Sequence, residues 1–201
     1  MIEFKELFAS SQVHCWPAYD ISVGAFTVID ATEAAPVSFG HGTRLGHHVV
    51  ISEGVQLGRN VKLDDQTFIG QFTSIGDGSE VHGVKIHREV VVGKNSFIGG
   101  EVSNWTTIGD EVTFMGRILH TYRHPGSADN WRNSDRQPSP TIHDHSVIGE
   151  GALLIGGVEI GPASYVSAGE IVKSHVPPEH VFIRGQIIPM SAFRGFIKAR
   201  S

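Results

Sequence analysis

A single cysteine, Cys15, among 201 residues leaves no internal disulfide to be made, which fits a reducing compartment. Long apolar runs are missing as well. The opening MIEFKELFAS carries acidic residues, so neither a signal peptide nor a membrane span is expected, and the expected location is the cytoplasm. A formal net charge of -5 with no long basic run argues against nucleic acid as a partner. Over the most apolar part of the chain neither the 3.6-residue helical period nor simple alternation is sustained, so both ordinary templates fail.

What is present is a beat of six. Phe39, Leu45, Ile51, Leu57, Leu63, Ile69, Ile75 and Val81 follow one another without a miss. Glycine follows at positions 40, 46, 58, 70 and 76. Small or β-branched residues sit four positions after the periodic one, at Thr43, Val49, Val55, Val61, Thr67, Thr73 and Ser79. The unit reads as a short strand and a tight turn, with one large side chain inside, a smaller one beside it and glycine relieving crowding at the corner. Three units close a triangular coil, and stacked coils bury what one coil cannot. The same beat returns at Ile142, Ile148, Leu154, Ile160, Val166 and Val172.

Along the chain, residues 1–20 read as an N-terminal cap in which Ile2, Phe4, Leu7 and Phe8 form an amphipathic face, as the open end of a solenoid requires. Residues 21–176 read as the solenoid, and 177–201 as a tail, with Pro177-Pro178 ending regular structure and a short helix in SAFRGFIKARS. The beat slips after Val81: Ile86, Val92 and Ile98 keep the style but not the phase. The largest interruption, about 115–141, is polar and rich in proline, and it holds His120 and His124. Loops carried on a rigid scaffold commonly hold the function.

The hexapeptide repeats, the His124-Pro125 pair in the interrupting loop, the stretch PTIHDHSVIGEGALLIGGVEIG and the following SAGEIVKSHVPP resemble the left-handed β-helix acyltransferases. The likeness is nearest to the galactoside, maltose and xenobiotic acetyltransferase group. It implies an all-β fold, a left-handed parallel β-helix with an extruded loop, in a homotrimer with acetyl-CoA between neighbouring helices. It also implies a loop histidine as general base on an acceptor hydroxyl. The histidine before proline is His124, with His120 the competitor. Either imidazole within reach of a hydroxyl can take its proton as the thioester carbon is attacked. The acceptor class is a sugar, a polysaccharide precursor or a small hydroxylated compound.

On the coenzyme side the resemblance offers Gly149, Ala152, Gly157, Ala168 and Gly169 as small residues along a pantetheine arm, and Lys173 and Arg184 as phosphate partners. Here the chain departs from the family pattern: Ser174 stands where a lysine is usual, His175 where an acid is, and Val147 where a tryptophan is. Arg194 and Lys198 offer further positive charge. His82 and His87, at a phase slip, are candidates for the acceptor side, and Trp131, Arg132 and Arg136 for loop contacts; His143 and His145 read as surface residues. Two alternatives stay open. One is a zinc enzyme of the γ-carbonic-anhydrase kind, suggested by His87, His120 and His124, although no metal is expected; the other is a non-catalytic trimeric scaffold.

Overall fold

The structure, a computed structural model, describes residues 13–16, 20–120 and 138–193. The repeat closes into three parallel walls. In the first wall Val37–Gly40 is followed rung by rung by Gln56–Leu57, Ser74–Ile75, Val91–Val92, Thr107–Ile108, Thr141–Ile142 and Glu159–Ile160. The second runs from Ser22–Val23 through Arg44–Leu45, Lys62–Leu63 and Glu80–Val81 to Tyr165–Val166 and His180–Ile183. The third has an upper part, Val28–Ile29 to Lys85–Ile86, and a lower part, Arg117–Leu119, Leu153–Ile155 and Ile171–Val172. A single Ile86–Val102 bridge and the Ile118 N–H to Glu101 carbonyl bond join the two parts.

The periodic large residues fill the interior: Ile51, Ile69, Ile86, Ile98, Ile142, Ile148 and Leu154 are completely buried. The small positions point inward too, so each turn buries one large and one small side chain. Where that small residue carries a hydroxyl, it bonds to a backbone carbonyl, in most cases one of the next coil; Thr67 and Thr106 instead bond to Asp64 and Ser103 of their own coil. Ser79 Oγ donates to Gly93 at 2.7 Å, Ser96 Oγ to Gly109 at 2.9 Å and Ser146 Oγ to Gly161 at 2.9 Å. A buried hydroxyl thus meets its requirement at a turn whose carbonyls would otherwise lack partners. The repeat glycine is needed for closeness: a Cβ on Gly70 would lie 2.6 Å from the His87 carbonyl carbon.

The slips have one cause. Between the second and third walls the step of six contracts to five from Val81 to Ile86, then to four from Ile98 to Val102 and again from Phe114 to Ile118. Those shortened corners hold Gly83, Gly99, Gly100 and Gly116, and a Cβ on Gly100 would overlap the Gly116 carbonyl oxygen. Full length returns with Ile148 to Leu154. The third wall therefore continues through Arg117–Leu119, inside the stretch expected to be loop, because the contraction hides Ile118 from a search for a six-residue beat.

The prolines at 177 and 178 do not end the stacking. They sit at a corner, where Pro177 accepts a hydrogen bond from Ser164 Oγ at 2.7 Å, and one more rung, His180–Ile183, pairs with Tyr165–Val166. Gln186–Pro189 then folds back antiparallel on that rung, covering an edge that would otherwise invite pairing. One 3₁₀ turn, Met190–Ala192, follows. The expected C-terminal helix beyond it and the amphipathic residues Ile2 to Phe8 lie outside the described residues. So do His124, Trp131, Arg132, Arg136, Arg194 and Lys198.

Candidate active site

The chain leaves the third wall at Leu119 and returns to the first at Thr141, and His120 stands where it leaves. Both ring nitrogens of His120 are buried, and among the described residues neither makes a well-formed hydrogen bond. Burial holds its pKa below the ordinary 6.5, the neighbouring His87 pushes the same way, and the Pro138 backbone pulls weakly against them. Trp105 meets the imidazole edge-on, with ring centres 6.0 Å apart. A neutral imidazole with free nitrogens is the chemical state a general base needs.

The sixteen-residue coils line up three columns across neighbouring rungs. Lys85, Glu101 and Arg117 begin the rungs, His87, Ser103 and Leu119 end them, and Arg88, Asn104 and His120 stand at the turn. Within this array the Arg117 guanidinium donates to Glu101 Oε2 from Nε at 2.8 Å and from its terminal nitrogen at 2.6 Å. Glu101 Oε1 faces His87 Nε2 at 3.3 Å. The Arg117 hydrogen bond, and secondarily His87, hold the Glu101 carboxyl below its usual range. Asn104 Oδ1 accepts from the Arg88 backbone N–H at 3.2 Å. His87, Glu101, Asn104, Arg117, Leu119 and His120 line one cavity of about 570 Å³.

The coenzyme candidates fall on both edges of the lower third wall. Gly157, beside Pro138, and Lys173, directly after Ile171–Val172, lie on the His120 edge. Gly149, Ala168 and Gly169 lie on the opposite edge, followed on the next rung by Arg184. Gly149 is held close to the next coil, since a Cβ there would lie 2.5 Å from the Ala168 nitrogen. Ala168 and Gly169 are exposed, and a Cβ on Gly169 would meet nothing within 4 Å. Ala152 points into the interior and is fully buried. Arg184 is exposed, and its backbone N–H donates to Glu170 Oε1 at 2.5 Å. A strip of open backbone with a cation at either edge fits an extended, phosphate-bearing molecule.

The remaining histidines separate. His87 is in the cavity; His82 is at another corner, 2.8 Å from Asp64 and packed on Phe97. His145 pairs with Glu111 at 3.1 Å at the third corner. Among the described residues no group of three or more His, Cys, Asp or Glu is arranged to hold a metal ion. Glu101, Asn104 and Arg117 were not singled out from the sequence. The signal that would have found them is the sixteen-residue spacing of Lys85, Glu101 and Arg117, which becomes legible only once the contracted corner is allowed for.

No protein-family model matches the chain. Serine acetyltransferase of Mycobacterium tuberculosis is 32% identical over 115 residues, covering 54% of this chain and 47% of that protein. The bifunctional protein GlmU of Corynebacterium aurimucosum is 25% identical over 168 residues, covering 81% of this chain and 32% of that protein. The chain thus spans half or less of the length of these relatives. The structure matches UDP-N-acetylglucosamine acyltransferase of Francisella novicida with a TM-score of 0.67 at 17% identity, covering 86% of this chain and 63% of the other. The fold is accordingly the left-handed parallel β-helix, an exception to the right-handed rule for parallel crossovers. No helix among the described residues is long and apolar enough to cross a membrane. In sequence and in fold the chain is similar to the hexapeptide-repeat left-handed β-helix acyltransferases.

Proposed function

We propose that the chain transfers an acetyl group from acetyl-CoA to a hydroxyl of a sugar, a polysaccharide precursor or a small hydroxylated compound. The observation that carries this reading is the His120 imidazole in the cleft, its buried ring nitrogens making no well-formed hydrogen bond among the described residues and its pKa held down by burial. The coenzyme supplies an activated thioester carbonyl. The protein's part is to hold the acceptor hydroxyl against an imidazole nitrogen, take its proton and exclude water. Asn104, one rung away, offers amide N–H groups for developing negative charge. Lys173 and Arg184 at the two edges of the open strip are the partners proposed for the coenzyme phosphates.

Of the two loop histidines, burial and the lack of a well-formed hydrogen bond at its ring nitrogens among the described residues support His120; His124 follows four residues later with the family's proline after it. The test is release of the CoA thiol from acetyl-CoA over a panel of hydroxylated acceptors. His120→Ala is expected to lower it by roughly a hundredfold or more, the usual contribution of a positioned base. Loss confined to His124→Ala moves the base to that residue, and full activity of both variants sinks the chemistry. Failure to bind acetyl-CoA in calorimetry leaves the trimeric scaffold as the better account.

A further inference from the structure

The cleft beside His120 does not end there. A second cavity of about 250 Å³ shares His87 and Asn104 with the first and continues up the third wall past Arg88, Lys85 and Phe68 to Ser52. Together they form a trough parallel to the solenoid axis, open along its length. Its upper half is cationic in a chain of net charge -5.

Among the described residues Arg44, Lys94 and Lys173, like Lys85, lack a carboxylate within ion-pair distance, but only Lys85 and Arg88 are held over aromatic rings. Arg59 lies 2.9 Å from Asp77, Lys62 is bonded to Glu80, and Arg117 is bonded to Glu101. Among the described residues Lys85 has no carboxylate within ion-pair distance, and Arg88 reaches Glu89 only at 3.9 Å. Each is instead held over an aromatic ring, Lys85 over Phe68 and Arg88 over Trp105, both at 5.2 Å from the ring centre. Such stacking fixes the position of a cation without neutralising it. Glu53 accepts from the Gln71 amide at 2.9 Å and from Thr32 Oγ1 at 3.2 Å, and Glu101, in the column of Lys85, is engaged by Arg117 and His87. His87 lies between the two cations.

We infer that Lys85 and Arg88 form a subsite for an acidic group of the acceptor, so that the acceptor is an extended saccharide bearing a carboxylate or phosphate. The inference rests on the acetyl-transfer reading for what happens at His120, but it concerns binding. Arg88 stands two rungs above His120, roughly 10 Å at the spacing of paired strands. The acidic group therefore sits on a different part of the acceptor from the hydroxyl that reacts. An extended, open trough suits a chain-like ligand better than a compact one.

Calorimetry on the full chain tests this, with an oligoglucuronate, its carboxyl-reduced neutral counterpart, and 3′,5′-ADP as a probe for coenzyme phosphates. The acidic oligomer should bind about three- to tenfold more tightly than the neutral one at low salt, as two partly exposed charge contacts allow. The double variant Lys85→Gln with Arg88→Gln should erase that preference and leave 3′,5′-ADP binding and the thermal midpoint unchanged. Equal affinities, no measurable binding of the acidic oligomer, or a preference that survives in the double variant overturns the subsite. A double variant that loses 3′,5′-ADP instead assigns the cations to the coenzyme and overturns it as well. A chain that keeps the preference yet never turns over acetyl-CoA defeats the catalytic reading alone.

Discussion

The stretch from Phe39 to Val81 and the stretch from His82 to His120 are built on the same plan, and they differ at one corner. In the first, every step is six residues and outward charges meet across coils, Arg59 on Asp77 and Lys62 on Glu80. In the second, the corner between the second and third walls contracts, and the outward residues come into columns that leave demands unmet. Among the described residues the ring nitrogens of His120 make no well-formed hydrogen bond, Lys85 has no carboxylate within ion-pair distance, and Arg88 has only Glu89, at 3.9 Å. In the regular stretch Arg44 also lacks a carboxylate within ion-pair distance among the described residues, so what the changed repeat adds is the gathering of such groups beside one cleft. The buried interior is the same in both, which is why the scaffold survives the change.

The sharpest way to break this comparison is in the shared interior. Ile69→Ala on the regular wall should cost about 2–5 kcal/mol by urea denaturation, as for other fully buried aliphatic truncations. Next comes the contracted corner. Gly100→Ala drives a Cβ into the Gly116 carbonyl oxygen and should cost about 1–3 kcal/mol. A Gly169→Ala variant, where φ is +72° but space is open, should cost less, about 1 kcal/mol, from backbone strain alone. If both glycine variants are equally stable, the contracted corner is not tightly closed.

A smaller effect is confined to pH. The folded pKa of His120 lies below its unfolded value of 6.5, so the unfolded chain binds the extra proton first. The resulting penalty is absent above 6.5, grows as the pH falls below it, and is fully present below the folded pKa. Stability of the parent relative to His120→Gln should therefore decline from pH 7 toward pH 5. Glu101 has the opposite kind of shift: its contribution is present above its ordinary 4.5 and is lost as the pH falls through its lowered folded value, which lies at more acid pH. A flat difference between parent and His120→Gln would place the imidazole in water. The smallest effect belongs to the regular wall: Asp77→Asn, breaking the exposed pair with Arg59 but keeping an oxygen for the Arg59 N–H, should change stability by less than about 1 kcal/mol.

Much of the fold was legible because the interior demands a large apolar residue at each strand, and demand of that kind writes itself into every sixth position. The continuation through Ile118 was not legible, since a corner two residues shorter destroys the phase without destroying the packing. The rung at His180–Ile183 was hidden for a different reason: Pro177 and Pro178 sit at a corner where a backbone donor is not required of them. At the site, His120 and His87 were visible as histidines near a slip. Their surroundings were not, since Glu101 and Arg117 become neighbours only through coil stacking.

The sequence by itself determined the solenoid and its three-sided cross-section, because these follow from a local repeat in which each unit carries the same requirement. Only the tertiary structure decided which side chains share a column. Column membership depends on coil length, and one residue more or fewer at a corner moves every later residue against its neighbours. That shift puts Arg88, Asn104 and His120 on one line and sets His120 beside a cleft, where burial holds its pKa down.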